Sequence, residues 1–251
     1  MTGSLEGRTA LVTGASSGIG RAIALHLARC GVKLCLVGRN QQRLSEVRKC
    51  AKNLTDTVVI SCADISRDRS IGRLVNVVQC EFGELHMLIH SAGAISLGGI
   101  EKASADDFKR QIQVNVIGPY LLTKGLLPFL KKSQGHVVFI NSSIVYNVRA
   151  GTIQFAATQH ALKALADGLR AEVNELDIRV LSVFPGRTAT PRQQKLHHAE
   201  GKPYRPGRLL QPEDVAATVV DALQLPRRAE VTDILIRPAK PPTRRRGRMK
   251  L

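Results

Sequence analysis

Short apolar runs alternate with longer segments of helical spacing along most of the chain. Ala10-Leu11-Val12 lies in a strand over 9–13, and Ile19, Ile23 and Leu27 recur one turn apart on a helix over 18–30. Residues 32–37 are apolar except for Lys33, the pattern of a strand buried on both faces. The same reading gives a charged helix over 41–53, a strand over 58–63, and a helix over 71–82 with Ile71, Leu74, Val75 and Val78 on one face. A short strand over 87–90 follows, then one long helix over 105–130, kinked at Gly118-Pro119 because proline lacks the helical N–H. A strand over 137–141, an alanine- and leucine-rich helix over 154–176 and a strand over 179–184 come next. Residues 188–207 are polar with little periodicity, and a helix then opens at Pro212, with acids in its first turn, before a last strand over 234–236. Strict alternation of strand and helix predicts an α/β fold, a doubly wound parallel sheet with helices on both faces. No internal repeat or linker divides the chain, so one domain over 1–238 is expected, with 188–207 as its lid.

Composition narrows the function classes. At 251 residues and 43% hydrophobic content the chain can bury a full core. No apolar run reaches the ~18 residues of a membrane span, and the polar N-terminus does not read as a signal peptide. Five cysteines, an odd number without metal-type spacing, read as reduced packing residues in a cytoplasmic protein, with no metal site. The formal net charge of +17 favours anionic ligands, phosphorylated cofactors included. Six basic residues and no acid fall within 239–251, expected as a solvated, disordered tail; binding of nucleic acid or an anionic surface through it is a minor reading.

Thr13-Gly14-Ala15-Ser16-Ser17-Gly18-Ile19-Gly20 joins the first strand to the first helix. Gly14 permits the sharp turn, Gly18 the close approach of a ligand, and Gly20 the packing of helix on strand. Unpaired N–H groups at the helix start then suit a pyrophosphate. The second strand leads into Gly38-Arg39 and carries no acid. A carboxylate there would bond the ribose hydroxyls of NAD, whereas a guanidinium suits the 2′-phosphate of NADP, so NADP(H) is expected ahead of NAD(H).

The chain resembles the short-chain dehydrogenase/reductase family over about residues 5–238. The likeness rests on Thr13 to Gly20, Asp64 after the third strand, Ser91-Ala92-Gly93, Asn115 in Val114-Asn115-Val116-Ile117-Gly118, Ser142-Ser143 after a strand, and Pro185-Gly186. The resemblance implies a Rossmann-type sheet of about seven strands, a nicotinamide cofactor, and a homodimer or homotetramer packed through the two long helices. It implies that Asp64 and Ile65 flank the adenine, that Ser91, Ala92 and Gly93 lie along the ribose and phosphates, and that Pro185, Gly186, Thr188 and Thr190 face the carboxamide and phosphates. His90 stands where the family usually has asparagine and is expected at a sheet edge, bonded to backbone.

The family's reaction uses an Asn-Ser-Tyr-Lys set, and here the chain departs from it. Asn115 and Ser142 match. Thirteen residues after Ser142, at the tyrosine position, stands Phe155, and four further on, at the lysine position, stands Gln159. Phenylalanine has no titratable proton and glutamine no charge, though its amide can still bond a ribose hydroxyl. Tyr146 is the candidate substitute donor, and Arg192, His197, His198 and Tyr204 are available in the lid. Three functions stay open: an impaired or atypical oxidoreductase acting on a hydroxyl or carbonyl group, a cofactor-bound cyclase or isomerase, and a catalytically silent scaffold subunit.

Overall fold

The computed structural model describes residues 3–239 and contains one seven-stranded sheet in the order β3-β2-β1-β4-β5-β6-β7. The strands are β1 (Thr9–Thr13), β2 (Lys33–Gly38), β3 (Val58–Cys62), β4 (Met87–His90), β5 (His136–Ile140), β6 (Arg179–Pro185) and β7 (Asp233–Ile236), and all neighbouring pairs are parallel. The helices are α1 (Gly18–Arg29), α2 (Gln41–Lys52), α3 (Asp68–Glu81), α4 (Ala105–Ile112), α5 (Gly118–Ser133), α6 (Ile153–Val173), α7 (Pro191–Ala199) and α8 (Pro212–Leu223). No helix among the described residues is long and apolar enough to cross a membrane.

Successive residues of β1 serve opposite cores. Ala10 and Val12 join Ile23 and Leu27 of α1, Leu44 of α2 and Val219 of α8. Leu11 joins Leu74 of α3, Leu126 of α5 and Leu162 of α6. This period-two division of side chains is what a sheet covered on both faces requires. Strand order reverses between β1 and β4, and an open α/β sheet forms its ligand crevice at the carboxyl ends beside such a switch point.

Four expectations need correction. The helix over 105–130 is two helices, α4 and α5, separated by a π turn, Gln113–Ile117. Asn115 at the centre of that turn is anchored outside the helix, and Pro119 lies in the first turn of α5, where its missing N–H breaks nothing. Gly118 matters for contact instead: a Cβ there would lie 2.6 Å from the Ile65 carbonyl oxygen. The polar segment 188–207 contains α7, which Thr190 caps by accepting from the Gln193 N–H at 3.1 Å, with Pro191 in its first turn. Of the cysteines, Cys35 is buried and Cys30 packs partly buried against the core, while Cys50, Cys62 and Cys80 are exposed, so packing explains two thiols rather than all. The basic run 240–251 lies outside the described residues.

The fourth correction is His90. It ends β4 in the middle of the sheet, 2% exposed, stacked on Phe139 at 4.9 Å with Nε2 at 2.8 Å from the Thr123 hydroxyl, while Nδ1 has no partner among the described residues. Burial pushes its pKa down to about 3. His136 is also held near 3, by burial first and then by Arg179, Arg227 and Arg8. Both rings are neutral in the folded protein, whereas in the unfolded chain they take up a proton near pH 6.5. Below that pH the unfolded state binds more protons, so each histidine removes stability as pH falls from 6.5 towards 3, by about 1.4 kcal/mol per unit. Urea unfolding at pH 7.5 and 5.0 is expected to show this loss, and His90→Asn to lessen it. A wild-type stability that stays flat over that interval contradicts the buried neutral histidines.

Candidate active site

The glycine loop closes tightly over the β1–β4 switch point. Gly14 has φ +68° and Gly18 φ +55°, both in the left-handed region. A Cβ on Gly14 would sit 2.8 Å from the Ala92 nitrogen, and one on Gly20 2.5 Å from the Gly14 carbonyl oxygen. Gly14 and Gly20 thus have the turning and packing roles read from the sequence. Gly18 faces Thr190, whose Cγ2 lies 3.0 Å from the place a Cβ would take, so the start of α7 stands against the start of α1.

Thr13 opens the loop motif in the sequence, but the role of its side chain was missed there. Fully buried, its hydroxyl accepts from the N–H groups of Ser91 (3.0 Å) and Ala92 (3.1 Å) and donates to the Ile89 carbonyl (3.2 Å). It ties the end of β1 to the turn after β4, bringing Ser91-Ala92-Gly93 beside Gly14. A lone hydroxyl at the end of an apolar strand, just before the first glycine, was the available signal.

At the far end of the cleft, Arg39 is exposed after β2, and Ser16 Oγ lies near Gly38. Asp64 accepts from both the N–H (3.0 Å) and the hydroxyl (2.7 Å) of Ser66. Burial alone would raise the Asp64 pKa, but these bonds, with Arg39 and Arg67 nearby, outweigh it and hold the carboxyl below its usual value. Ile65 beside it is buried. A cavity of about 330 Å³ opens outside the glycine loop, and its wall carries both arginines, Arg21 and Arg43, and acids, Glu46 and Glu213, with Ser16 and Gly18 on the loop side. Asn115, Ser142, Phe155 and Gln159 are not part of its wall.

Those four belong to the inner end of the cleft. Asn115 is buried, its Oδ1 accepting from the Ala94 N–H at 2.7 Å and its Nδ2 donating to the Ala94 carbonyl (2.8 Å) and the Thr158 hydroxyl (3.0 Å). It therefore pins the turn after β4 to α6 and holds the π turn open. Ser142 leaves β5 and opens a 3₁₀ turn, Ser143–Tyr146, by accepting from the Ile144 N–H at 3.3 Å. Its own N–H donates to Asn141 Oδ1 (2.7 Å), and Asn141 Nδ2 donates to the Gln159 carbonyl (3.2 Å). Asn141 is thus the brace between Ser142 and α6, a residue the sequence reading missed.

Phe155 and Gln159 stand four apart on α6, on one face of the helix. Gln159 is 4% exposed, and its amide nitrogen reaches only the Thr158 hydroxyl at a long 3.5 Å. Tyr146 ends the 3₁₀ turn that Ser142 opens. Its ring packs edge-on against Phe184 at 5.2 Å, more than half exposed, and its hydroxyl makes no hydrogen bond among the described residues.

The lid is built by its own contacts. Gly186 continues from β6 by donating to the Ile236 carbonyl (2.8 Å), next to Pro185, and Thr188 donates to the Gly186 carbonyl (3.1 Å). Arg187 and Glu200 form a two-bond ion pair at 2.8 and 2.7 Å. His197 is buried, bonded to Gln193 and packed edge-on against Tyr204, so it holds the lid together. His198 is exposed. Arg192 crosses the cleft and donates from Nη2 to the Gly93 carbonyl at 2.7 Å.

A family model described as short chain dehydrogenase matches residues 8–201. An uncharacterized oxidoreductase of Staphylococcus saprophyticus is 32% identical over 236 residues, which cover 93% of this chain and 98% of that protein. Among solved structures, an alcohol dehydrogenase from Thermococcus sibiricus, complexed with 5-hydroxy-NADP, superposes with a TM-score of 0.84 at 27% identity, covering 94% of this chain and 99% of the other. A 3-ketoacyl-(acyl-carrier-protein) reductase from Brucella melitensis, complexed with NADH, gives 0.82 at 27%, covering 93% and 98%. Matched across most of its length by the family model and nearly end to end by these relatives, the chain belongs to the short chain dehydrogenase family.

Proposed function

We propose that the protein binds NADP(H) in this cleft and, lacking the family's tyrosine and lysine, transfers hydride at a hydroxyl or carbonyl group only slowly. The observation that carries this reading is the pairing of a complete cofactor cradle with an inert inner end. Gly14 and Gly20 leave no room for a Cβ, while the side chains at 155 and 159 are an apolar ring and an uncharged amide. When bound, the nicotinamide supplies or accepts the hydride. Asn115 holds α6 through the Thr158 hydroxyl, Ser142 would offer a hydroxyl to a substrate oxygen, and the Gln159 amide could bond a ribose hydroxyl. None of these replaces the acid–base step, which contributes ~10²–10⁴ in rate.

The preference for NADP(H) rests on Arg39. Solved relatives carry either dinucleotide, 5-hydroxy-NADP in one and NADH in another, so local chemistry decides. No acid ends β2, and Arg39 is exposed there. Arg39→Ala is expected to weaken NADPH binding by about 10- to 100-fold while NADH binding stays within a factor of about two, as loss of a charge-assisted bond implies. Fluorescence titration of both dinucleotides reads this, and equal wild-type affinities defeat the NADP assignment.

A catalytically silent subunit is the second reading, favoured by the buried and weakly bonded Gln159. Pairing through α5 and α6 fits it, since α5 leaves Tyr120 about half exposed and α6 leaves Ile153 so. Absorbance at the nicotinamide band with a panel of ketones and aldehydes separates the two. Binding of NADPH with slow turnover supports the first reading, and binding with none supports the second.

A further inference from the structure

Resting on that cofactor assignment, we infer that Arg192 is an anion ligand of the cleft, a guanidinium that takes the pyrophosphate of the dinucleotide opposite the first turn of α1. The family likeness did not point to it, because the residue lies in the lid, 99 positions along the chain from the carbonyl it reaches.

Three observations converge on this side chain. First is its reach. Nη2 donates to the Gly93 carbonyl at 2.7 Å, and Nη1 stands 3.6 Å from where a Gly93 Cβ would be. Gly93 belongs to the turn that Thr13 and Gly14 hold against the glycine loop, so the guanidinium lies over the line from that loop to Asn115. Second is its free valence. Of the five N–H groups of a guanidinium, one is bonded among the described residues. No carboxylate among them lies within ion-pairing distance of Arg192, and the acid of the lid, Glu200, is already held by Arg187 and Lys202. Third is the surrounding charge. The N-termini of α1 and α7 meet here through Gly18 and Thr190, so two positive helix ends face one cleft. Arg192 taken as a whole residue is exposed, yet burial about its guanidinium first, and then the like charge of Arg39, lower its pKa. Glu46 and Glu213 also line the outer cavity, beside Arg21 and Arg43, but neither is ion-paired with Arg192. A cation without an acid partner between two positive helix ends favours a multiply charged anion, and a pyrophosphate supplies one.

The roles of the two arginines are separable. Arg39 reads the 2′-phosphate, which only NADP(H) carries, whereas the pyrophosphate is common to both dinucleotides. In the full chain, Arg192→Ala is expected to weaken NADPH and NADH by the same factor, about 10- to 100-fold. Adenosine 2′-monophosphate, which has no pyrophosphate, is expected to bind as it does to wild type, and this also shows that the variant is folded. Arg192→Lys is expected to recover part of the loss. If wild type binds both dinucleotides and Arg192→Ala binds them as tightly, the guanidinium is merely a strap from lid to β4 and the inference falls alone. A loss confined to NADPH also overturns it, by moving Arg192 to the 2′-phosphate. A wild-type protein that binds neither dinucleotide removes the proposed function and this inference with it.

Discussion

Replacing Phe155 with tyrosine and Gln159 with lysine together is expected to raise the rate of ketone or aldehyde reduction by about 10²–10⁴-fold over wild type, the contribution of a positioned acid. The geometry for such a gain is already present. The two positions are one turn apart on α6, whose register is fixed by Asn115 on Thr158 and by Asn141 on the Gln159 carbonyl. Tyrosine adds a hydroxyl to a ring the site already holds. Either change alone does less. Phe155→Tyr supplies a proton donor with a pKa near 10 and no cation to lower it. Gln159→Lys places an ammonium where the native side chain is 4% exposed, so it loses stability through desolvation unless a ligand offsets the charge. The measurement is turnover of NADPH, with its binding constant determined alongside. A double variant that binds NADPH and gains no activity would show that the inner end has drifted beyond these two residues. A wild type already as fast as the double variant would point to another donor, and Tyr146→Phe would then test the tyrosine held against Phe184.

The elements that depend on burial were legible in the sequence, and those that depend on a single hydrogen bond were not. β2 and β6 read directly because strands covered on both faces are mostly apolar, and the structure buries every residue of each but the first, Lys33 and Arg179. The start of α8 read from Gln211-Pro212-Glu213-Asp214, and Asp214 does accept from the Gln211 N–H at 2.8 Å. The π turn at Asn115 was hidden because one extra residue in a helix scarcely disturbs a 3.6-residue pattern, and its cause is a contact with Ala94 across the cleft. α7 was hidden because its exposed polar face masks periodicity, although Thr190-Pro191 was a start signal of the usual kind. His90 was misplaced because a polar residue ending a strand suggests an edge, whereas stacking on Phe139 and a bond to Thr123 let it sit in the middle. In the site, the loop was readable from its spacing, and the replaced pair from the resemblance to the family. Thr13, Asn141 and the crossing of Arg192 needed three dimensions, since each joins elements far apart in the chain.

Gly14→Ala is expected to destabilise the protein by about 2–5 kcal/mol, combining ~1–2 for an alanine held in the left-handed region with ~1–3 for overpacking. The native φ is +68°, and the added methyl would meet the Ala92 nitrogen at 2.8 Å and its Cα at 2.9 Å. Those are backbone atoms of a turn fixed by the Thr13 hydroxyl, so the neighbour has no rotamer by which to yield. Gly20→Ala acts by a different route. Its backbone is unstrained, but a Cβ at 2.5 Å from the Gly14 carbonyl oxygen must push α1 away from the loop. The first variant is expected to lose stability and dinucleotide binding, and the second to lose more binding for a given loss of stability, because the displaced helix end is the one that faces the phosphates. Two glycines calibrate the comparison. Gly7 shares the positive φ, at +72°, with nothing within 4 Å of a Cβ, so Gly7→Ala isolates the conformational cost. Gly72 lies on α3 with equally open space, so Gly72→Ala is expected to gain up to ~1 kcal/mol of helix propensity. Urea unfolding of the four variants orders them as Gly72→Ala above wild type, then Gly7→Ala, with the two loop variants lowest. Equal stabilities for Gly14→Ala and Gly7→Ala would mean the turn after β4 is free to move, and the tight closure of loop on strand, from which the cofactor cleft was argued, would be wrong.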